Sequence, residues 1–219
     1  MLKKPKRLTK KELKKDPFVL LSAQVVDYFR AEWIKIGSIV LAVVLVSLIA
    51  VLIVNSKKRS EINAYDAALT ALQNNAPEAP DLLKRIIQNY GGSRSAADAL
   101  IQLGNRYYIQ KDLNNSEKYY KEYIEKYSGD PVYGFNAYNN LGSIYEEKGD
   151  FMKAAQTYEQ FTKKYKNSVF DPIMYLNAGK AYIQAGDKVS AKKNLSIIAQ
   201  SFRDSREKEE ALYYLESLN

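Results

Sequence analysis

The chain has 219 residues, contains neither Cys nor His, and carries a formal net charge of +8. Without Cys there is no disulfide, thiolate nucleophile or thiolate metal site, and without His there is no imidazole base and no usual zinc ligand set. The positive charge does not mark a nucleic-acid surface: residues 1–59 hold 13 Lys/Arg against 4 Asp/Glu, whereas residues 60–219 hold 20 against 21, so the large C-terminal part offers no clustered cations for a phosphate backbone.

The first 35 residues form a basic tail with helix signals of its own. Thr9-Lys10-Lys11-Glu12 has the form of a capping box, and Asp16-Pro17 that of a second helix start with Asp as cap and Pro at the first position. Phe18, Leu21, Val25, Phe29 and Trp33 then recur at helical spacing, an amphipathic helix expected on a lipid surface with Tyr28 and Trp33 at headgroup depth. The alternative is a plain basic tail that only sets topology.

Ile36 to Val54 is 19 residues without a charge, which at the helical rise spans roughly 28 Å, about one hydrocarbon core. Its only polar side chains are Ser38 and Ser47, which can bond back to the preceding turn. Ten Lys/Arg precede it and Lys57, Lys58 and Arg59 follow, a bias that puts the N-terminus in the cytoplasm and residues 55–219 on the outer side. No small-x-small cleavage pattern follows the span, so the expectation is an uncleaved signal anchor.

Beyond the span the sequence repeats. Aligned on Gly104, Gly142 and Gly179, spaced by 38 and 37, three segments share one pattern, and the closing aromatics Tyr127, Tyr165 and Phe202 keep the same spacing. A degenerate unit ending at Tyr90 precedes them. In the first helix of each unit Leu100, Leu103 and Tyr107 recur as Tyr138, Leu141 and Tyr145, then as Tyr175, Ala178 and Tyr182, a 3-then-4 spacing that defines one helical face. The Gly beside the middle position leaves room for a partner helix. A turn with Asp112, Asp150 or Asp187 follows, after Gly149 and Gly186 in two cases, and predicts a left-handed cap and then an N-cap. The second helix carries Ser116, Tyr120 and Tyr123, then Ala154, Tyr158 and Phe161, then Ala191, Leu195 and Ile198. No unit can bury both faces alone, so neighbours must stack. Residues 57–73 read as a small-residue helix with Ala64, Ala67, Ala68 and Ala71, and Asn74–Pro80 as a loop. At the other end 207–219 read as a cap with Leu212, Leu215 and Glu216.

These residues resemble the tetratricopeptide repeat: Leu-Gly-x-x-Tyr, the Gly-Asp turn, and the small-x-x-x-aromatic pair, over about 75–203. The expected fold is all-α, a transmembrane helix followed by a solenoid of three to four helix pairs. The expected domains are a tail at 1–35, an anchor at 36–54 and a repeat domain at 55–219, with units near 57–95, 96–133, 134–171 and 172–206. Repeat packing falls to Gly104, Tyr107, Gly142, Tyr145, Ala154, Gly179, Tyr182 and Ala191. In this family a peptide groove is lined by first-helix residues between the packing positions, here Ile101, Asn105 and Tyr108; Asn139, Ser143 and Glu146; Leu176, Lys180 and Ile183. The cations that grip a terminal carboxylate in some members are missing, since Ile101 and Ile173 stand where Lys would be needed. One member of each Tyr pair (Tyr107-Tyr108, Tyr119-Tyr120, Tyr213-Tyr214) is assigned to the core and the other to the surface. Glu146-Glu147 and Glu209-Glu210 diverge on their helices and are assigned to solvated surface rather than to acid–base work.

No phosphate loop, nucleophile–base pair or metal-spaced cluster is present, so neither enzymatic activity, cofactor, metal nor small-molecule substrate is expected. The order of parts resembles the ancillary subunit family of the bacterial SecYEG translocon. That resemblance implies a scaffold at the inner membrane with a periplasmic repeat domain. Its implied partners are the translocon, a periplasmic chaperone or a client polypeptide. The alternative is a scaffold for outer-membrane or cell-wall assembly.

Overall fold

The computed structural model describes residues 17–127 and 129–218. Among these residues all regular structure is α-helical: α1 (Pro17–Gln73), α2 (Ala79–Asn89), α3 (Arg94–Ile109), α4 (Leu113–Lys126), α5 (Pro131–Glu147), α6 (Phe151–Lys164), α7 (Asp171–Gln184), α8 (Lys188–Ser201) and α9 (Glu207–Ser217). The all-α class expected from the repeats is thus observed. The chain divides into two compact units, 1–59 and 60–219.

In the first unit the capping box at 9–12 and the cap at Asp16 lie outside the described residues, and α1 begins at Pro17. Phe18 to Trp33 runs into the apolar stretch within one helix. That stretch reaches a mean hydropathy of 3.1 with none of its side chains buried, and is long and apolar enough to cross a membrane. Ser38 Oγ donates to Lys35 O at 2.8 Å and Ser47 Oγ to Val43 O at 2.8 Å, so both hydroxyls are satisfied inside the helix.

In the second unit each helix from α2 onward packs on the next. The turn chemistry is the same three times. Lys111, Gly149 and Gly186 take positive φ at 62°, 75° and 79°, ending the first helix of each pair. Asp112, Asp150 and Asp187 then cap α4, α6 and α8 by accepting from Asn115 N, Lys153 N and Ser190 N. Lys111 holds without glycine the conformation that glycine adopts at no steric cost. Pro131 and Pro172 stand in the first turns of α5 and α7, where the missing N–H is harmless. Pro80 does the same for α2, which starts inside the expected loop.

The inward face of each second helix is fully withdrawn from water: Ser116, Tyr120 and Tyr123, Ala154, Tyr158 and Phe161, and Ala191, Leu195 and Ile198 are at most 1% exposed. Each large side chain buried this way contributes about 1.5–3 kcal/mol. The glycines make it possible. A Cβ on Gly104 would stand 2.7 Å from Tyr120 Cε1, one on Gly179 2.7 Å from Leu195, and one on Gly142 would overlap the Tyr158 ring. Ser116 Oγ also donates to Gly104 O at 2.8 Å, tying the second helix to the same close approach.

Two expectations are corrected. Tyr119 and Tyr120 are both buried, because Tyr119 stacks on Tyr107 with centroids 5.6 Å apart and planes 8° from parallel, while Tyr107 and Tyr108 are both half-buried. Only the last pair divides as expected, with Tyr213 68% exposed and Tyr214 half-buried. In α1, Ala68 is buried, Ala64 and Ala71 are partly so, and Ala67 is exposed.

Gly142→Ala is expected to destabilise the repeat unit by about 1–3 kcal/mol, the usual cost of overpacking, because the obstacle is a ring held in the core. Gly129→Ala, with open space around it, serves as the control. Thermal melts of the two variants followed by far-ultraviolet circular dichroism check this; equal midpoints would contradict it.

Candidate functional site

The first helices of successive units lie beside one another, α3 against α5 and α7 against α9. Their shared face is where the nine groove residues fall. Two of them do not reach the surface: Ile101 and Leu176 are each 2% exposed and belong to the core. The other seven, Asn105, Tyr108, Asn139, Ser143, Glu146, Lys180 and Ile183, are partly exposed.

Four of these, Asn105, Tyr108, Asn139 and Lys180, are held by bonds that run between units. Tyr120 Oη donates to Asn105 Oδ1 at 2.6 Å, and Asn140 Nδ2 donates to the same oxygen at 3.2 Å. Asn177 Nδ2 donates to Asn139 Oδ1 at 3.0 Å, repeating the amide-to-amide join one unit further on. Asn140 and Asn177 were missed by the sequence reading. They share a position two residues before the repeat glycines Gly142 and Gly179, and that recurrence was the available signal. Ser143 Oγ donates back to Asn139 O at 3.1 Å.

At the groove edge Tyr108 Oη donates to Glu147, and Lys111 Nζ lies 3.2 Å from Glu147 Oε2. The Glu147 carboxyl is held below the usual range by Tyr108 first and then by Lys111, and the Tyr108 hydroxyl is pushed up to about 12, chiefly by the same bond. Glu146 differs: burial pushes its carboxyl up, against the opposing pull of Tyr158 and Lys180. The adjacent glutamates, expected as plain solvated surface, therefore face different surroundings. Lys180 pairs with Glu210 at 2.8 Å and sits 5.7 Å from the centre of the Tyr214 ring.

A cavity of about 240 Å³ opens here, lined by Glu146, Phe151, Lys180, Ile183, Gln184 and Tyr214. It joins three of the expected groove residues to three from outside that set. A second, of about 310 Å³, lies at the other end of the row, with Gln102, Asn105 and Arg106 among its walls. A third, of about 420 Å³, is not in this row but runs between α4 and α6, with Lys121, Tyr145 and Lys153 among its walls. Depth alone does not decide between the faces. Amides, one half-buried carboxylate and half-exposed apolar side chains suit an extended polypeptide, whose backbone needs both donors and acceptors. Among the described residues no group of three or more acidic side chains is placed to hold a metal ion.

The repeat-packing residues occupy the layer behind this face. Gly104, Gly142, Gly179, Ala154, Ala191, Tyr145 and Tyr182 are buried, and Tyr107 is half-buried in its stack with Tyr119.

Comparison with known proteins agrees with this architecture. The tetratricopeptide repeat family model matches residues 137–168. Comparison with curated proteins finds no match. Among solved structures, a tetratricopeptide repeat protein from Parabacteroides merdae aligns with a TM-score of 0.58 at 17% identity over 73% of this chain. This chain spans 60% of that protein's length. A kinesin light chain protein with nearly identical TPR-like repeats, from Podospora anserina, aligns with a TM-score of 0.51 at 15% identity, over 71% of this chain and 83% of that one. The fold is that of a tetratricopeptide-repeat solenoid, and no catalytic family is identified.

Glu117, on α4 between Lys121 and Lys148, gives the unit a pH signature. Burial alone would raise its carboxyl, but hydrogen bonds from Lys121 and Lys148 outweigh this and bring it down to about 2. Because the folded pKa lies below the unfolded one, its stabilisation is full above the unfolded pKa of 4.5 and is lost as pH falls towards 2. Glu117→Gln should therefore lower the melting temperature at pH 7 and narrow the drop between pH 5 and pH 2. Parallel drops in variant and parent would show that Glu117 does not carry it.

Proposed function

We propose that this chain is a single-pass membrane protein whose repeat unit is a scaffold for other proteins on the outer face of the bacterial inner membrane. The resemblance in part order favours an ancillary subunit that links the translocon to a periplasmic chaperone or to emerging client polypeptide. The observation that carries the membrane reading is the apolar stretch from Ile36 to Val54, none of which is buried. Leaving its 14 Ile, Val and Leu side chains in water would cost on the order of 20–40 kcal/mol at the usual 1.5–3 kcal/mol per large side chain. That exceeds the whole stability of an ordinary domain, about 5–15 kcal/mol, so the stretch requires an apolar solvent. The charge bias across it, ten Lys/Arg before and three just after, supports the orientation.

The scaffold reading is supported by the groove. Its polar side chains are bonded to one another across units, so the face is organised before any guest arrives, which lowers the ordering cost of binding. The near-neutral repeat unit, with 20 Lys/Arg and 21 Asp/Glu over residues 60–219, suits varied polypeptide rather than a highly charged partner.

Two measurements test this. A reporter active only in the cytoplasm, fused after Asn219, should be silent; activity there overturns the orientation. Crosslinking in cells followed by mild-detergent purification should recover translocon components. The double variant Glu146→Ala/Lys180→Ala should reduce that recovery several-fold without lowering the melting temperature by more than a surface change does. Recovery of outer-membrane or cell-wall assembly proteins alone would move the assignment to that machinery.

A further inference from the structure

Two residues after the repeat glycine stands a side chain that two units keep from water: Ile144 is 0% exposed and Ala181 2%. The first of the three glycine-aligned units places Arg106 there. Arg106 Nε is buried without a hydrogen-bond acceptor, and among the described residues no ion pair includes its guanidinium. A guanidinium is always charged in a protein, and a donor shut away unpaired costs stability that an apolar side chain would not. We propose that Arg106 marks a site for the carboxylate of an Asp or Glu side chain, carried by an extended segment of a partner protein lying in the groove. The proposal deepens the scaffold reading above and rests on it.

The site is the cavity of about 310 Å³ between the end of α1 and α3. Leu72 and Asn75 stand on the α1 side, and Gln102, Asn105, Ile109 and Gln110 stand with Arg106 on the other. Asn105 Oδ1 already accepts from Tyr120 and Asn140. That fixes the amide and leaves its Nδ2 as a further donor with no acceptor among the described residues. Asp98, about two turns before Arg106 on α3, is itself buried and accepts from Gln102 Nε2 at 3.5 Å, so it does not neutralise the guanidinium.

Charge selects the occupant. Among the described residues of the cavity wall Arg106 alone is ionised, so an anion balances the site and a cation does not. A carboxylate matches the planar fork of a guanidinium with two parallel bonds. A phosphate would bring a second negative charge for which the wall holds no cation. Leu72 and Ile109 supply apolar surface beside the guanidinium, and Ile109 is 79% exposed. They would cover the methylene stem of an acidic side chain, which a carboxylate at a chain terminus lacks. That terminal carboxylates are gripped in some family members by cations at other groove positions, occupied here by Ile101 and Ile173, points the same way.

The test pans the full-length chain in detergent against random peptides displayed between fixed flanks, so that no peptide terminus is free. Enriched peptides should carry Asp or Glu at one internal position, and changing that acid to its amide should weaken binding about tenfold or more. Arg106→Glu should enrich Lys or Arg at the same position instead. Arg106→Ile, which supplies the residue of the next unit, should abolish the acid preference and leave the melting midpoint level or raised. A packing role alone would lower the midpoint and leave the peptide preference unchanged, which would overturn the site. Should Arg106→Ile fail to fold, Arg106→Gln keeps a polar side chain and is read the same way. Enriched peptides with no acid preference would overturn the carboxylate site and leave the scaffold reading standing. A second library with free C-termini that enriches where the first does not would overturn the side-chain source. No enrichment from either library would overturn the scaffold reading and this proposal with it.

Discussion

The repeat unit depends on one contact: a large side chain of each second helix lying flat against the backbone of its own first helix. Tyr120 over Gly104, Tyr158 over Gly142 and Leu195 over Gly179 are the three instances. A methyl group at the glycine would force the helices apart, and overpacking in a dense interior is not absorbed by relaxation. Because the pairs close this tightly, each unit presents a fixed face to the next. The asparagine joins and the Glu117–Lys148 pair both require that fixed face.

The same arrangement explains why the groove is more polar than a simple list of first-helix positions implies. Ile101 and Leu176 are turned into the core, where apolar residues gain most. The equivalent position in the middle unit holds Asn139, which stays at the surface and bonds the next unit's Asn177. One structural position is therefore filled by core in two units and by an inter-unit polar join in the third. Glu146 and Glu147, adjacent in sequence, are likewise divided by a 100° turn of helix: one is pressed toward the core and the other is held by Tyr108 and Lys111.

Electrostatics plays a modest part in holding the fold. Most ion pairs are on the surface and within one helix, such as Lys126–Glu122 and Lys163–Glu159, where each is worth a few tenths of a kcal/mol. The exceptions cross between units. Lys164 Nζ donates to Ile124 O at 3.1 Å, bonding a carbonyl in the last turn of α4. Its ammonium is pulled below the usual Lys range by burial, the cost of serving as that cap.

The sequence by itself determined the helical class, the apolar stretch and the register of the repeats. Each is written as periodicity along the chain: 19 uncharged residues, glycines 38 and 37 apart, and a 3-then-4 recurrence that permits one solution. It also determined the Asp caps, since capping is a local bond between residues three apart. Only the tertiary structure decided which groove positions reach the surface, that Tyr119 is buried, that Asn140 and Asn177 join neighbouring units, and that Phe151 and Tyr214 line a cavity with Glu146. These depend on what stands opposite, often more than 30 residues away. A side chain's exposure is a property of two surfaces in contact, and the sequence displays only one of them at a time.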